Sequence, residues 1–147
     1  MPGATSSAQA LDEVEEQITV LAVHVRLAVR DAAASIDPAL PPFGLRLLRM
    51  LERCGPVHSG AAAERLGVDR SAISRQVRQL VDLGLVEMTV DPADGRARFL
   101  SLSVAGCERM RDLGGQQRQR MQEALSAWPE EDLRAFAGYL ERLTAAK

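Results

Sequence analysis

Glycine and proline punctuate the middle of this chain so closely that residues 55 to 103 can hold only short elements. Gly55-Pro56 ends whatever precedes it, because proline has no amide hydrogen to continue a helix. Gly67 and Gly84 supply two further stops. A first short helix is therefore expected from Ser59 or Gly60 through Ala62, Ala63 and Leu66, with Gly67 as its left-handed cap. A second is expected to run to Leu83, with Asp69 as the N-cap whose carboxylate accepts the amides of Ser71 or Ala72. Beyond it, V-E-M-T-V (86 to 90) and R-F-L-S-L (98 to 102) are β-prone and flank the turn-forming run Asp91-Pro92-Ala93-Asp94-Gly95-Arg96-Ala97. A hairpin with an exposed tip follows from that spacing.

Longer helices are expected on both sides. Leu11, Val14, Ile18, Leu21, Val25 and Ala28 step alternately by three and four, the spacing of a seam built for another helix. Asp37, Pro38, Pro41 and Pro42 end that pattern, and a helix from about Phe43 to Arg53 turns Leu47, Leu48 and Leu51 inward. Ser103 is placed to cap a helix reaching Trp128, with Gly114 and Gly115 marking a bend or a close backbone approach. A last helix starts at Pro129, carries Glu130, Glu131 and Asp132 at its positive end, and repeats the stepping at Leu133, Phe136, Leu140 and Leu143. The expected class is mostly α with a minor β component. Residues 1 to 10 read as a disordered terminus, 41 to 102 as a region with the element order of a winged helix-turn-helix, and 11 to 40 with 103 to 147 as a long-helix region whose apolar stripes would also suit an ordinary intramolecular core.

A chain of 147 residues is long enough to bury one sizeable core. It contains no apolar run long enough to span a bilayer and no basic start leading into an apolar stretch, so a cytoplasmic location without a membrane partner is expected. Cys54 and Cys107 are too few for a disulfide framework and read as buried small hydrophobes. Neither a cofactor nor a metal is expected from the His and Cys content, and no Ser/His/acid set or phosphate-cradling glycine loop points to an enzyme.

The net charge of -2 argues at first against nucleic acid. Its distribution argues the other way: Asp12, Glu13, Glu15 and Glu16 cluster without a base, whereas residues 70 to 81 hold Arg70, Arg75 and Arg78 without an acid. In the second short helix a 100° rotation per residue gathers Ile73, Val77 and Leu80 on one face and leaves Ser71, Arg75, Arg78 and Gln79 on the other. Arginine can present two parallel donors to guanine, and a glutamine amide pairs with adenine. Ser71, Ser74 and Arg70 at the helix start suit phosphate. At the hairpin, Arg96 suits the minor groove with Asp94 restraining its guanidinium, and Arg98 can follow the backbone.

The run G-P-V-H-S-G-A-A-A-E-R-L-G-V-D-R-S-A-I-S-R-Q-V-R-Q-L-V-D-L-G-L-V-E, with D-P-A-D-G-R-A-R-F-L-S-L-S-V-A-G after it, resembles the helix-turn-helix and wing of the MarR family. The resemblance extends from about Leu11 to Leu143, departing where Met88 stands in place of a frequent basic residue and where Ser103 replaces the usual Thr. It implies a homodimer with interlocked terminal helices, making 11 to 40 with 103 to 147 the helical dimerisation region, a pseudo-palindromic site on double-stranded DNA, and a repressor released by a small aromatic acid or lipophilic effector. His24, Arg26, Arg46 and Arg49 are the groups placed to meet such an effector. The alternative from another class is a winged helix serving as a protein-interaction module without DNA, which would not need to keep Arg70, Arg75, Arg78 and Arg96 exposed.

Overall fold

The computed structural model describes residues 2 to 145 and divides into two compact units, one reaching Met110 and one beginning at Arg111. The order of elements is α1 (Pro2–Ile36), α2 (Pro42–Cys54), β1 (Val57–His58), α3 (Ser59–Leu66), α4 (Arg70–Asp82), β2 (Val86–Val90), β3 (Arg98–Leu102), α5 (Val104–Leu125) and α6 (Glu130–Ala145). No helix among the described residues is long and apolar enough to cross a membrane.

The core of the first unit is aliphatic. Leu45, Leu47 and Leu48 of α2, Ile73 and Leu80 of α4 and Leu100 of β3 are completely enclosed, with Ala62 of α3 filling the space where α3 and α4 approach. Burying each such leucine or isoleucine contributes about 1.5–3 kcal/mol, so these side chains dominate the stability of the lobe. The three strands form one antiparallel sheet in the order β1-β3-β2, with Leu100 opposite both Val57 and Met88. The two-residue strand β1 was not evident from sequence, because two residues carry no alternation to read.

Local caps explain the short elements. Gly67 adopts φ 64° and ψ 39°, and its amide and that of Val68 turn back to the carbonyls of Glu64 and Ala63, ending α3 as its position predicts. Asp69 precedes α4 as expected, but its carboxylate makes no capping bond; its backbone carbonyl instead accepts from the amides of Ala72 and Ile73 at 3.1 and 3.2 Å. Ser103 does cap α5, its Oγ accepting from the amide of Gly106 at 2.9 Å and donating to the carbonyl of Gly84 at 2.6 Å.

Three further expectations are corrected. The segment 2–10, read as disordered, continues α1, since its alanines and glutamine favour helix and Pro2 sits in the first turn, where a missing amide costs nothing. Met1 lies outside the described residues. Gly114 and Gly115 interrupt nothing: α5 runs through them, and a Cβ at either would meet no atom within 4 Å. Cys54 and Cys107 are free thiols and exposed, because each lies on the outer face of its helix.

Outside the core the helices keep large apolar side chains in the open. On α1, Leu11, Val14, Ile18, Leu21 and Val25 are exposed, and so are Val20, Val23 and Leu27, a second stripe stepping by three and four. In the second unit α6 buries no residue at all, leaving Phe136, Tyr139, Leu140 and Leu143 exposed. Trp128 meets Phe136 edge to face, with ring centroids 5.6 Å apart.

Candidate nucleic-acid interface

Helix α4 is amphipathic in the sense its sequence predicts. Ile73, Val77 and Leu80 are buried, while Ser71, Ser74, Arg75 and Arg78 stand exposed at steps of three, one and three. The hydrophobic face thus fixes the helix against α2 and the sheet, and the same rotation delivers hydroxyl and guanidinium groups to solvent. None of Arg70, Arg75, Arg78, Arg96 and Arg98 is paired with a carboxylate among the described residues. Five guanidinium groups without acid partners keep their full attraction for phosphate.

Helix and wing share a groove. A cavity of about 270 Å³ is lined on the α4 side by Ile73, Ser74, Val77, Arg78 and Val81, and on the sheet side by Met88, Arg98 and Leu100, with Ser59 at its edge. Ser74, Arg78 and Arg98 are thereby brought together over an apolar floor. Arg70 lies elsewhere: its Nη2 is 3.5 Å from where a Cβ on Gly60 would stand, so its guanidinium reaches back over the start of α3.

The wing tip is shaped by its two aspartates. Asp91 Oδ1 accepts from the amide of Ala93 at 2.8 Å, and Asp94 Oδ1 accepts from the amide of Arg96 at 3.0 Å. Backbone bonds from Asp91 to Ala97 and from Ala97 to Asp94 close the loop at 3.1 and 2.9 Å. Asp94 was expected to hold the Arg96 guanidinium, and it holds the Arg96 backbone instead, because a short aspartate side chain reaches the amide two residues on more readily than a long side chain's tip. The outcome is a tip closed by its own hydrogen bonds, with an exposed arginine that pairs with no carboxylate among the described residues. At the base of the wing, His58 Nε2 stands 3.4 Å from Asp91 Oδ2, and the His58 ring rests on Phe99 with centroids 3.9 Å apart.

Gln79 departs from the sequence reading. Its side chain is half-buried, with Nε2 donating to the carbonyl of Ala39 at 2.7 Å and Oε1 accepting from Nε2 of Gln76 at 2.9 Å. Gln76, which sequence reasoning passed over, is buried on the same face as Ile73 and Leu80. Its position between them in the helical stepping was the available signal.

The four residues expected to meet an effector lie on two helices, His24 and Arg26 on α1 and Arg46 and Arg49 on α2. His24 and Arg26 are exposed on α1, about 15 Å or more along the helix from Ile36 at its buried end. Arg46 is exposed and Arg49 half-buried on α2.

Comparison with known proteins places the same segment in context. Residues 44–97, from α2 to the wing, match the model of the MarR family. The chain is 28% identical over 100 residues to the uncharacterized HTH-type transcriptional regulator YxaD of Bacillus subtilis, covering 68% of this chain and 70% of that protein. It is 37% identical over 78 residues to the HTH-type transcriptional regulator PetP of Rhodobacter capsulatus, covering 53% of this chain and 47% of PetP. The fold is shared along nearly the whole length with YusO of Bacillus subtilis, at a TM-score of 0.81 and 21% identity over 95% of this chain and 98% of YusO. A MarR family protein from Bacillus stearothermophilus superposes at a TM-score of 0.78 with 18% identity, over 93% of this chain and 94% of its own.

Proposed function

Because this chain belongs to the MarR family of helix-turn-helix transcriptional regulators, we propose that it acts as a homodimeric repressor that reads a pseudo-palindromic operator with α4 and grips it with the wing. The observation that carries the reading is the exposed stripe Ser71, Ser74, Arg75 and Arg78, whose guanidinium groups have no acid partner. Arg75 and Arg78 would donate to base edges in the major groove, and Ser71, Ser74 and Arg70 to phosphates. Arg96 would enter the minor groove from the tip that Asp94 stiffens, and Arg98 would follow the backbone. Gln79 is left out of this contact set.

The dimer rests on the apolar faces of the terminal helices. An α1 that leaves Leu11, Leu21 and Val25 more than half exposed presents more apolar surface than one soluble protomer usually keeps in water. A second copy related by a two-fold axis would cover it and set two α4 helices about one turn of DNA apart. An effector in this reading is a small aromatic acid or lipophile, and the pairing of protomers is what would bring His24, Arg26, Arg46 and Arg49 to it.

A mobility-shift titration against the DNA upstream of its own gene tests the function. Retardation is expected at submicromolar protein and low salt, and it should weaken steeply as salt rises, since each neutralised phosphate releases counterions. No shift at micromolar protein would end the proposal. Addition of salicylate should release the DNA if the effector class is right.

A further inference from the structure

The geometry points to Gln79, with the buried Gln76 behind it, as a positioning residue that fastens the reading helix to the connector between α1 and α2 and so fixes the pose in which Arg75 and Arg78 meet DNA. This rests on the DNA-reading role proposed for α4. The amide orientation is determined by its surroundings: the Ala39 carbonyl can only accept, so Gln79 must turn Nε2 toward it, at 2.7 Å. That leaves Oε1 to accept from Gln76 Nε2 at 2.9 Å. Gln76 is 7% exposed and cannot reach a duplex, so the pair is built inward from the reading face.

The other end of the tether is held as firmly. The amide of Ala39 donates to Asp37 Oδ1 at 2.8 Å, that of Leu40 donates to the Asp37 carbonyl at 2.9 Å, and that of Asp37 to the Ala33 carbonyl at 3.2 Å. The Ala39 peptide therefore stands on the last turn of α1, clamped on both sides. On the neighbouring α2, Gly44 supplies the space: a Cβ there would lie 2.9 Å from Gln76 Nε2 and 2.5 Å from Leu40 Cδ1. A hydrogen-bond chain thus links the end of α1 to a residue next to Arg78. Base-edge hydrogen bonds tolerate little misplacement, whereas phosphate contacts tolerate more, so loosening the tether should erode discrimination before affinity.

The experiment uses the full chain and a duplex selected by the wild type from a random pool, compared with a scrambled duplex of equal length and composition. Anisotropy titrations with Q79A, Q79M, Q76L and Q76L/Q79A should each show the selected-to-scrambled affinity ratio reduced about fivefold to tenfold, the worth of one hydrogen bond. The double variant should be no worse than Q79A alone, because Q79A already removes the bond that crosses from α4 to Ala39. The loss should be spread over all operator positions, the salt slope unchanged, and exchange of the Asp37, Ala39 and Leu40 amides faster in the free protein. A loss confined to one base pair in Q79A with Q76L unaffected would make Gln79 a base-reading residue and overturn the tether. An unchanged ratio in the two Gln79 variants, while R75A lowers it, would also overturn the tether and leave the DNA-reading role standing. A wild type that selects no duplex would remove that role, and the tether with it.

Discussion

Gly106 is where α5 touches the turn after α4, and replacing it with alanine should destabilise the winged lobe. A Cβ at this position would lie 2.1 Å from the Leu85 carbonyl oxygen, and the obstacle is backbone that cannot rotate away. To restore ordinary contact α5 must withdraw by about 1 Å, which stretches the bond from the Ser103 amide to the Leu85 carbonyl, now 3.0 Å, and that from Ser103 Oγ to Gly84. Overpacking of this kind costs about 1–3 kcal/mol, and each weakened buried hydrogen bond adds about 1 kcal/mol. Alanine's higher helix propensity returns about 1 kcal/mol. The net loss should be about 2–4 kcal/mol, or roughly 5–15 °C in Tm for a chain of this size. Circular dichroism melts at one fixed protein concentration would measure it, since dimer stability varies with concentration. G114A in the same helix is the control: with nothing within 4 Å of its Cβ, it should hold or raise Tm. A G106A protein as stable as the wild type would refute the close approach and the strain it implies for the Ser103 bonds.

Other perturbations separate the parts of the proposed interface. R75A should cost about 1–3 kcal/mol at the operator and relax preference at the base pair it reads, seen as a changed consensus in selection from random DNA. R96A should weaken selected and scrambled duplexes alike and reduce the slope of log affinity against log salt by about one unit, measured by anisotropy across a salt series. L21E places a charge on the exposed apolar stripe of α1 and should yield monomers in sedimentation velocity, with operator binding lost while the wing lobe stays folded.

How much of this was legible in the chain depended on the range of the interactions involved. The caps at Gly67 and Ser103 and the inward face of α4 are set by neighbours within a few residues, and the sequence order alone exposes them. The bonding of Gln79 was hidden because its partner, Ala39, is 40 residues away in the chain and offers only a backbone carbonyl, which has no residue-type signature. β1 was hidden for the same reason: Val57 and His58 are a strand only because Leu100 and Phe99 lie beside them. Asp94 was assigned to the correct loop and to the wrong partner, since a one-dimensional reading cannot distinguish an amide from a guanidinium of the same residue. Helix periodicity located the first stripe on α1, but Val20, Val23 and Leu27 needed a structure to show that they too lack cover.

The acidic sum of the chain is reconciled with an anionic partner by where its charges lie. Asp12, Glu13, Glu15 and Glu16 all sit on α1, and Glu16 is about 30 Å along that helix from Ile36, where the wing lobe begins. The screening length at physiological salt is about 8 Å, so carboxylates at that remove contribute almost nothing to the potential at the lobe. What a duplex would meet in the proposed pose is local: arginines 70, 75, 78, 96 and 98, none of them paired with a carboxylate among the described residues. The wing's own acids, Glu87, Asp91 and Asp94, form no ion pair with these arginines among the described residues; Asp91 and Asp94 each accept a backbone amide, and Asp91 also faces His58. Net charge is a property of the whole surface, whereas binding draws on the patch that approaches. With two copies of that patch facing one side, a dimer of acidic chains would present ten arginines to DNA while its overall charge keeps it from adhering to itself.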